Sequence, residues 1–329
     1  VELMAELFVQ VESWPIRGRF AISRGAKTSA DVVVVELRDG DCRGLGECVP
    51  YARYGESCAA VVEQIETLRS EIHRGLGREQ LQQYLPAGAA RNALDCAFWD
   101  LQAKTSGRRV WELAGLPVPG DVTTAYTLSL DSPSLMHRAA VDNAHRPLLK
   151  LKLAGDGDIE RVRSVRSGAP GARLMVDANE GWGVDDYERL VPELQQLGVE
   201  LIEQPLPAGE DEALRSLPRP IAICADESCH DSASLADISG KYDTVNIKLD
   251  KTGGLTEALR LRKAAEADGL QIMVGCMLAT SLAMAPAMLL AQGAAFVDLD
   301  GPLLLERDRD PGLAFSDSRI GPPRAALWG

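Results

Sequence analysis

The sequence predicts an α/β fold with a TIM-type barrel after residue 118. Three observations carry that expectation. Short apolar runs alternate with helical segments at a steady pitch, a Pro/Gly cluster marks a change of texture near residue 118, and charged residues recur at the ends of the apolar runs.

The first stretch is strand-rich. Residues 2–11 and 32–37 read as β, the second through four consecutive valines. Between them, residues 15–30 are polar and glycine-bearing and hold Arg17, Arg19, Arg24 and Lys27, which suits a mobile loop. Helical spacing follows over 89–103, where Ala90, Leu94, Ala97, Phe98 and Leu101 share one face. A short helical piece at 110–113 ends at Gly115, and Pro117, Pro119 and Gly120 follow. The expected domains are therefore 1–118, 119–310 and a tail, 311–329. Beyond the boundary lie eight apolar runs, 123–130, 148–153, 173–178, 199–204, 221–225, 244–249, 271–276 and 294–299. Eight β units alternating with helices favour a barrel, although a doubly wound sheet shares that alternation.

Composition narrows the function class. The 329 residues are 46% hydrophobic and 25% charged, enough apolar material for a large core. There are 48 acids against 35 bases, a net charge of −13, with no basic patch. Nucleic acid and anionic membrane surfaces are poor partners for such a chain. The seven cysteines are odd in number and contain no C-x-x-C, which argues against a disulfide framework or zinc ribbon and for a reducing, cytoplasmic setting. Residues 1–15 carry Glu2, Glu6 and Glu12 without a basic segment, so they do not read as a signal peptide. No apolar run is long enough to span a membrane.

The strand ends hold the chemistry. The second run contains Lys150 and Lys152, the third ends in Asp177, the fourth in Glu203, the fifth in Asp226 and the sixth in Lys248; the eighth ends in Asp298 and Asp300. A lone charge at a strand end is ordinarily a cap or half of a salt bridge. Six strands ending so, at barrel pitch, converge on the one face where barrel enzymes place their sites. Asp177, Glu203 and Asp226 follow one another at 26 and 23 residues, and three anions in one mouth repel unless they share a cation or ion-pair with lysines. Oxygen ligands without histidine or thiolate select Mg²⁺, with Mn²⁺ as the alternative.

Lys150 and Lys152 share a strand face, and an ammonium next to another and near a divalent cation is expected to have a lowered pKa. Lys248 lies on the sixth strand, opposite the second in an eight-stranded barrel. An amine on each face of a metal-held substrate suits removal of a proton from one side of a carbon and return from the other. The cation stabilises the negative charge that develops α to a carboxylate. The implied reaction is racemisation, epimerisation or a related β-elimination. Other motifs carry less. Lys251-Thr252-Gly253-Gly254 lacks Walker spacing and reads as a βα turn. Gly44-Leu45-Gly46 is no dinucleotide fingerprint. Among the four histidines only His230 falls near the mouth, and Cys276 has no histidine partner to make it a nucleophile.

The ordered motifs Lys150-x-Lys152, Asp177-Ala178-Asn179, Glu203-Gln204-Pro205, Ala225-Asp226-Glu227-Ser228 and Asn246-Ile247-Lys248 resemble the enolase superfamily, specifically its muconate-lactonizing-enzyme subgroup. Residues 91–101 resemble that family's N-terminal signature. Within the subgroup the likeness is to dipeptide epimerases, through Asp298-Leu299-Asp300-Gly301-Pro302 and the stretches 55–57, 85–91 and 246–255. The resemblance implies an α+β capping domain over a (β/α)₇β barrel, with the tail returning to the cap. It implies Lys152 and Lys248 as acid/base residues and Lys150 as a carboxylate binder that helps depress the pKa of Lys152. Asp177, Glu203 and Asp226 would hold one Mg²⁺, as is general for superfamily sites that stabilise an enediolate. Thr127, Cys276, Leu278, Asp298 and Asp300 would line the pocket, the two aspartates receiving a substrate ammonium. The segment 15–30 would fold over it, with Arg24 or Lys27 reading a glutamate side chain. The implied activity is 1,1-proton transfer at the C-terminal residue of a dipeptide such as L-Ala-D/L-Glu, in murein peptide recycling. N-acylamino-acid racemase, o-succinylbenzoate synthase and a silent peptide-binding barrel are the alternatives. The sequence does not decide between a monomer and a homo-oligomer.

Overall fold

The structure, a computed structural model, describes residues 5–329. The N-terminal part is a cap. Strands β1 (Glu6–Ile22), β2 (Gly25–Asp39) and β3 (Cys42–Cys48) form an antiparallel sheet in that order. The valine run in β2 is buried on both faces. Val33 and Val35 enter a core with the cap helices, and Val32 and Val34 enter the core shared with the barrel. Covering both faces is why this strand shows no polar alternation. The Ala89–Ser106 helix lies across β3 so closely that a Cβ on Gly46 would sit 2.0 Å from the Ala93 carbonyl oxygen. Close helix packing therefore explains the G-x-G at residues 44–46.

Residues 15–30 are not a loop. β1 and β2 run through them as one long hairpin whose pairing shifts between Pro15 and Phe20 and ends at Ile22–Gly25. Pro15 and Gly18, which reads as a turn signal, instead mark the irregularity in the ladder. The strand expected at 2–11 begins at Glu6 among the described residues; its positions 2–4 lie outside them.

Eight parallel strands follow the cap. They are β5 (Tyr126–Leu128), β6 (Leu148–Lys152), β7 (Arg173–Asp177), β8 (Val199–Glu203), β9 (Ala222–Ala225), β10 (Thr244–Ile247), β11 (Gln271–Gly275) and β12 (Phe296–Asp298), each paired to the next. The Ala125 N–H donates to the Val297 carbonyl at 2.7 Å and closes the ring. The doubly wound alternative is thereby excluded. The run expected at 123–130 splits in two. Its start, β4 (Val122–Thr123), joins a separate small sheet with β13 (Phe315–Ser316) and β14 (Arg319–Ile320). Helices pack outside most crossovers, but between β8 and β9 only the turn Glu212–Arg215 is helical. Among the described residues no helix is long and apolar enough to cross a membrane.

Strand period places the charged layer. Leu148, Met175, Leu201, Cys224 and Phe296 form an apolar plug inside the barrel. Two residues further along each strand, on the same face, stand Lys150, Asp177, Glu203, Asp226 and Asp298. The plug keeps water out from below, and the charges open upward toward the cap.

Arg309, just before the tail, and Trp328 within it tie cap to barrel. Arg309 reaches Glu12 of β1 at 2.5 Å, Glu47 of β3 at 2.7 Å and the Thr280 hydroxyl at 2.7 Å. Trp328 is fully buried and donates its indole N–H to the Cys96 carbonyl at 3.0 Å.

Candidate active site

A cavity of about 530 Å³ lies between the hairpin and the barrel mouth. Lys150, Lys152, Asp226, Lys248, Asp298, Asp300, Thr127, Cys276, Leu278, Arg24 and Lys27 all line it. Asp177 and Glu203 lie beneath, without solvent exposure. The residues singled out from the sequence are thus brought to one place.

The lysines and carboxylates interleave. Lys150 Nζ is 2.6 Å from Glu203 Oε2, 2.7 Å from Asp298 Oδ2 and 3.3 Å from Asp177 Oδ2. Lys152 Nζ bonds Asp177 Oδ2 at 2.6 Å, and Lys248 Nζ bonds Asp226 Oδ2 at 2.6 Å. A fourth lysine completes the layer. Lys251 Nζ donates to Asp226 Oδ1 at 2.6 Å and to the Asn246 carbonyl at 2.9 Å. The sequence offered a signal for it, a second lysine one helical turn beyond Lys248. Glu227 also lines the cavity and bonds Arg24 at 2.7 Å. Asn246 donates to Glu203 Oε1 at 2.7 Å, giving the Asn-Ile-Lys motif a role for its first residue.

These neighbours set the protonation states. Burial disfavours the charge on Lys150, but Asp298, Glu203 and Asp177 outweigh it and hold the ammonium well above its ordinary pKa. Burial likewise opposes Lys248, and Asp226 and Glu203 overcome it. The lowered value expected for Lys150 from its neighbouring lysine is therefore reversed by the surrounding carboxylates. Asp177 falls to about 2, because Lys152 and Lys150 outweigh its burial. Burial and the nearby Asp177 charge push Glu203 up to about 7. Asp300 rises to about 7 through burial and the Asp298 charge.

Asp177, Glu203 and Asp226 fit a divalent cation by their chemistry. All three are buried, all offer hard oxygens, and they end adjacent strands. Glu203 Oε2 is buried and makes no hydrogen bond, although the Lys150 ammonium lies 2.6 Å away as an ion pair. As they stand, no three His, Cys, Asp or Glu side chains among the described residues form a metal cage, because ammonium groups occupy the space between the acids.

Arg24 sits at the tip of the hairpin. Its guanidinium bonds the Asn179 carbonyl at 2.7 Å, Glu227 at 2.7 Å, Tyr51 Oη at 3.0 Å and Glu180 at 3.1 Å. Arg53 donates to both Glu180 oxygens at 2.9 Å, sharing Oε2 with Arg24. Asn179 and Glu180 adopt left-handed backbone, with φ of 46° and 65°, which turns the loop after β7 toward the hairpin. Lys27 lies 6.0 Å from the Tyr51 ring and makes no ion pair among the described residues. Thr127 contributes its backbone N–H, which bonds Asp300 Oδ2 at 2.6 Å.

Comparison with known proteins agrees with this geometry. Residues 4–115 match the mandelate racemase/muconate lactonizing enzyme N-terminal domain, and residues 135–325 match the enolase C-terminal domain-like family. The chain is 47% identical over 311 residues to L-Ala-D/L-Glu epimerase of Escherichia coli, covering 94% of this chain and 97% of that protein. It is also 47% identical over 300 residues to N-acetyl-D-glutamate racemase of a Pseudoalteromonas species, covering 91% and 95%. An Agrobacterium tumefaciens enolase family member with homology to dipeptide epimerases, solved with sodium, L-Ala-L-Glu and an ordered loop, superposes with a TM-score of 0.97 at 52% identity, covering 99% and 100%. The Enterococcus faecalis dipeptide epimerase with Mg and L-Leu-L-Tyr gives 0.90 at 29% identity, covering 98% of each chain. The chain belongs to the enolase superfamily, in its muconate-lactonizing-enzyme subgroup.

Proposed function

We propose that this protein is an isomerase that epimerises dipeptides at the α-carbon of the C-terminal residue, with L-Ala-D/L-Glu as the leading substrate. The observation that carries the reading is a pair of lysines, Lys152 and Lys248, at the ends of β6 and β10, four strands apart in the ring, with Asp177, Glu203 and Asp226 on the strands between.

Lys152 and Lys248 would stand on opposite faces of the substrate's Cα, one taking the proton and the other returning one. Lys150 would bind the α-carboxylate. Asp177, Glu203 and Asp226 would hold Mg²⁺, which when bound supplies positive charge where the negative charge develops and relieves the carboxylates' grip on the lysines. Asp298 and Asp300 would receive the substrate ammonium; Asp298 Oδ1 is buried without a partner, an acceptor suited to that cation. Arg24 and Lys27 border the wall available to a glutamate side chain. In D₂O with Mg²⁺, L-Ala-D-Glu should exchange its glutamate α-proton and yield both epimers. Binding without exchange would instead support a silent peptide-binding barrel.

The 47% identity to an N-acetyl-glutamate racemase supports a second reading, N-acylamino-acid racemisation. The aspartate pair favours the dipeptide, because an N-acyl substrate leaves two buried carboxylates facing an apolar group. Asp298→Asn with Asp300→Asn should depress turnover of L-Ala-D-Glu far more than that of N-acetyl-D-glutamate. A cytoplasmic setting and a role in murein peptide recycling suit seven free thiols and an Ala-Glu substrate.

A further inference from the structure

The two acid/base lysines are held by different means. Lys152 is inside a ladder. It pairs with Asp177 across β6 and β7, and the next residue, Leu153, donates its N–H to the Asp177 carbonyl at 2.9 Å. Lys248 stands one residue past the end of β10, whose last ladder pair is Ile247 with Val274. It caps the short helix Leu249–Thr252, and its carbonyl accepts the N–H groups of Lys251 and Thr252 at 3.0 Å each.

That turn is gripped by the cap. Asn92 donates to Asp250 Oδ1 at 2.8 Å, and the Val49 N–H donates to the same oxygen at 2.9 Å. Arg91 donates to the Thr252 carbonyl at 2.7 Å and the Gly253 carbonyl at 3.2 Å. Asp95 Oδ2 accepts the Thr256 N–H at 2.9 Å. Gly254 has φ of 110°, and a Cβ there would lie 2.4 Å from the Asp95 Cβ, so the backbone of the turn packs directly on the Asp95 side chain. Arg91, Asn92 and Asp95 are at most 7% exposed, and among the described residues they line no part of the substrate cavity. At Lys152 the hairpin of the cap contributes the Phe20 ring, with the ammonium over it at 6.0 Å from its centre.

We propose that Arg91, Asn92 and Asp95 are positioning residues for Lys248, so that the docked cap helix sets proton transfer on one face of the substrate and not on the other. The proposal rests on Lys152 and Lys248 being the acid/base pair. A turn outside the ladder has fewer backbone bonds to hold it, so its side-chain clamps decide where the ammonium lies. Misplacing a proton donor by about an ångström costs on the order of a hundredfold in rate.

The experiment follows α-deuterium wash-in by NMR, starting separately from L-Ala-L-Glu and L-Ala-D-Glu in D₂O with Mg²⁺. Lys248→Ala identifies the epimer served by Lys152, since only that epimer can still exchange. In Asn92→Ala and Arg91→Lys, wash-in for the Lys248 epimer should fall at least tenfold. Wash-in for the Lys152 epimer should change less than twofold and proceed with retention. Arg91→Lys keeps the charge and supplies a folded variant if Asn92→Ala unfolds, with thermal unfolding checking both. Equal losses for the two epimers, or no loss for either, would overturn the inference while leaving the wild-type reaction intact. A wild-type protein that exchanges neither epimer overturns the acid/base reading, and this inference with it.

Discussion

The floor of the cavity is held by a β-ladder, and its roof by side chains. At the floor, Lys150, Asp177 and Glu203 project from central strands and are 1% exposed or less, so their charges act on one another with little solvent screening. At the roof, Arg24 and Arg53 are 27% and 40% exposed and hold Glu180 and Glu227 across the gap between hairpin and barrel. Their carboxylate partners, Glu180 and Glu227, are 8% and 2% exposed, so solvent reaches these pairs from the arginine side. The difference teaches a division of labour. The floor groups are fixed by the strands that carry them, whereas the roof is closed by side chains reaching between separate parts of the chain.

The sharpest way to break the comparison is at the floor. Lys152→Ala or Lys248→Ala should reduce epimerisation by about 10²–10⁴-fold, the scale of a lost general acid or base, with little change in the far-UV circular dichroism. Glu203→Gln removes one oxygen donor of the trio; calorimetry should register weaker Mg²⁺ binding, and activity should fall with it. Chelation of the wild type should mimic that loss, and added Mg²⁺ should restore it.

Changes at the roof should be smaller and should appear in KM. Arg24→Ala loses the hairpin's bonds to Glu227, Glu180, Tyr51 and the Asn179 carbonyl, so KM should rise about tenfold for every dipeptide, with acidic ones affected most. Lys27→Ala should raise KM a few-fold for L-Ala-D-Glu and leave neutral dipeptides unchanged. If the two variants behave identically across a neutral and an acidic substrate, latch and selector are one device.

The smallest effect concerns stability. Burial raises Asp250 to about 7, against the N–H donors of Val49 and Asn92. A carboxyl whose folded pKa exceeds its unfolded value stabilises the fold most fully below about pH 4 and loses that contribution as pH rises through about 7. Thermal unfolding between pH 6 and 8 should therefore carry a component that declines with pH. Asp250→Asn, which keeps an oxygen acceptor, should remove that component, a matter of a few degrees. An unchanged slope in the variant would assign the pH dependence elsewhere.

Legibility in the sequence follows the same division. The floor could be read because a strand repeats every two residues and central barrel strands are otherwise apolar, so Lys150, Asp177, Glu203 and Asp226 stand out against Leu148, Met175, Leu201 and Cys224. The roof could not. Its hairpin carries Pro15 and Gly18, which ordinarily announce a turn, and its contacts depend on a left-handed Asn179-Glu180 pair from a distant loop. The surroundings of Lys150 were hidden for a related reason. The sequence set Lys150 beside Lys152, whereas the fold set it among three acids. Lys251 reads as part of a βα turn because it lies beyond the strand, on the short helix Leu249–Thr252, which turns its ammonium back onto Asp226.

The C-terminal contacts have a consequence for how the protein is made. Glu47 belongs to the third strand, yet the guanidinium that neutralises it is carried by Arg309, 262 residues later. The Cys96 carbonyl waits 232 residues for the indole of Trp328. On the ribosome the cap therefore emerges early and stays unsealed, with an uncompensated carboxylate at its heart, until nearly the whole barrel has been synthesised. The cap therefore receives its last contacts only after the barrel that follows it.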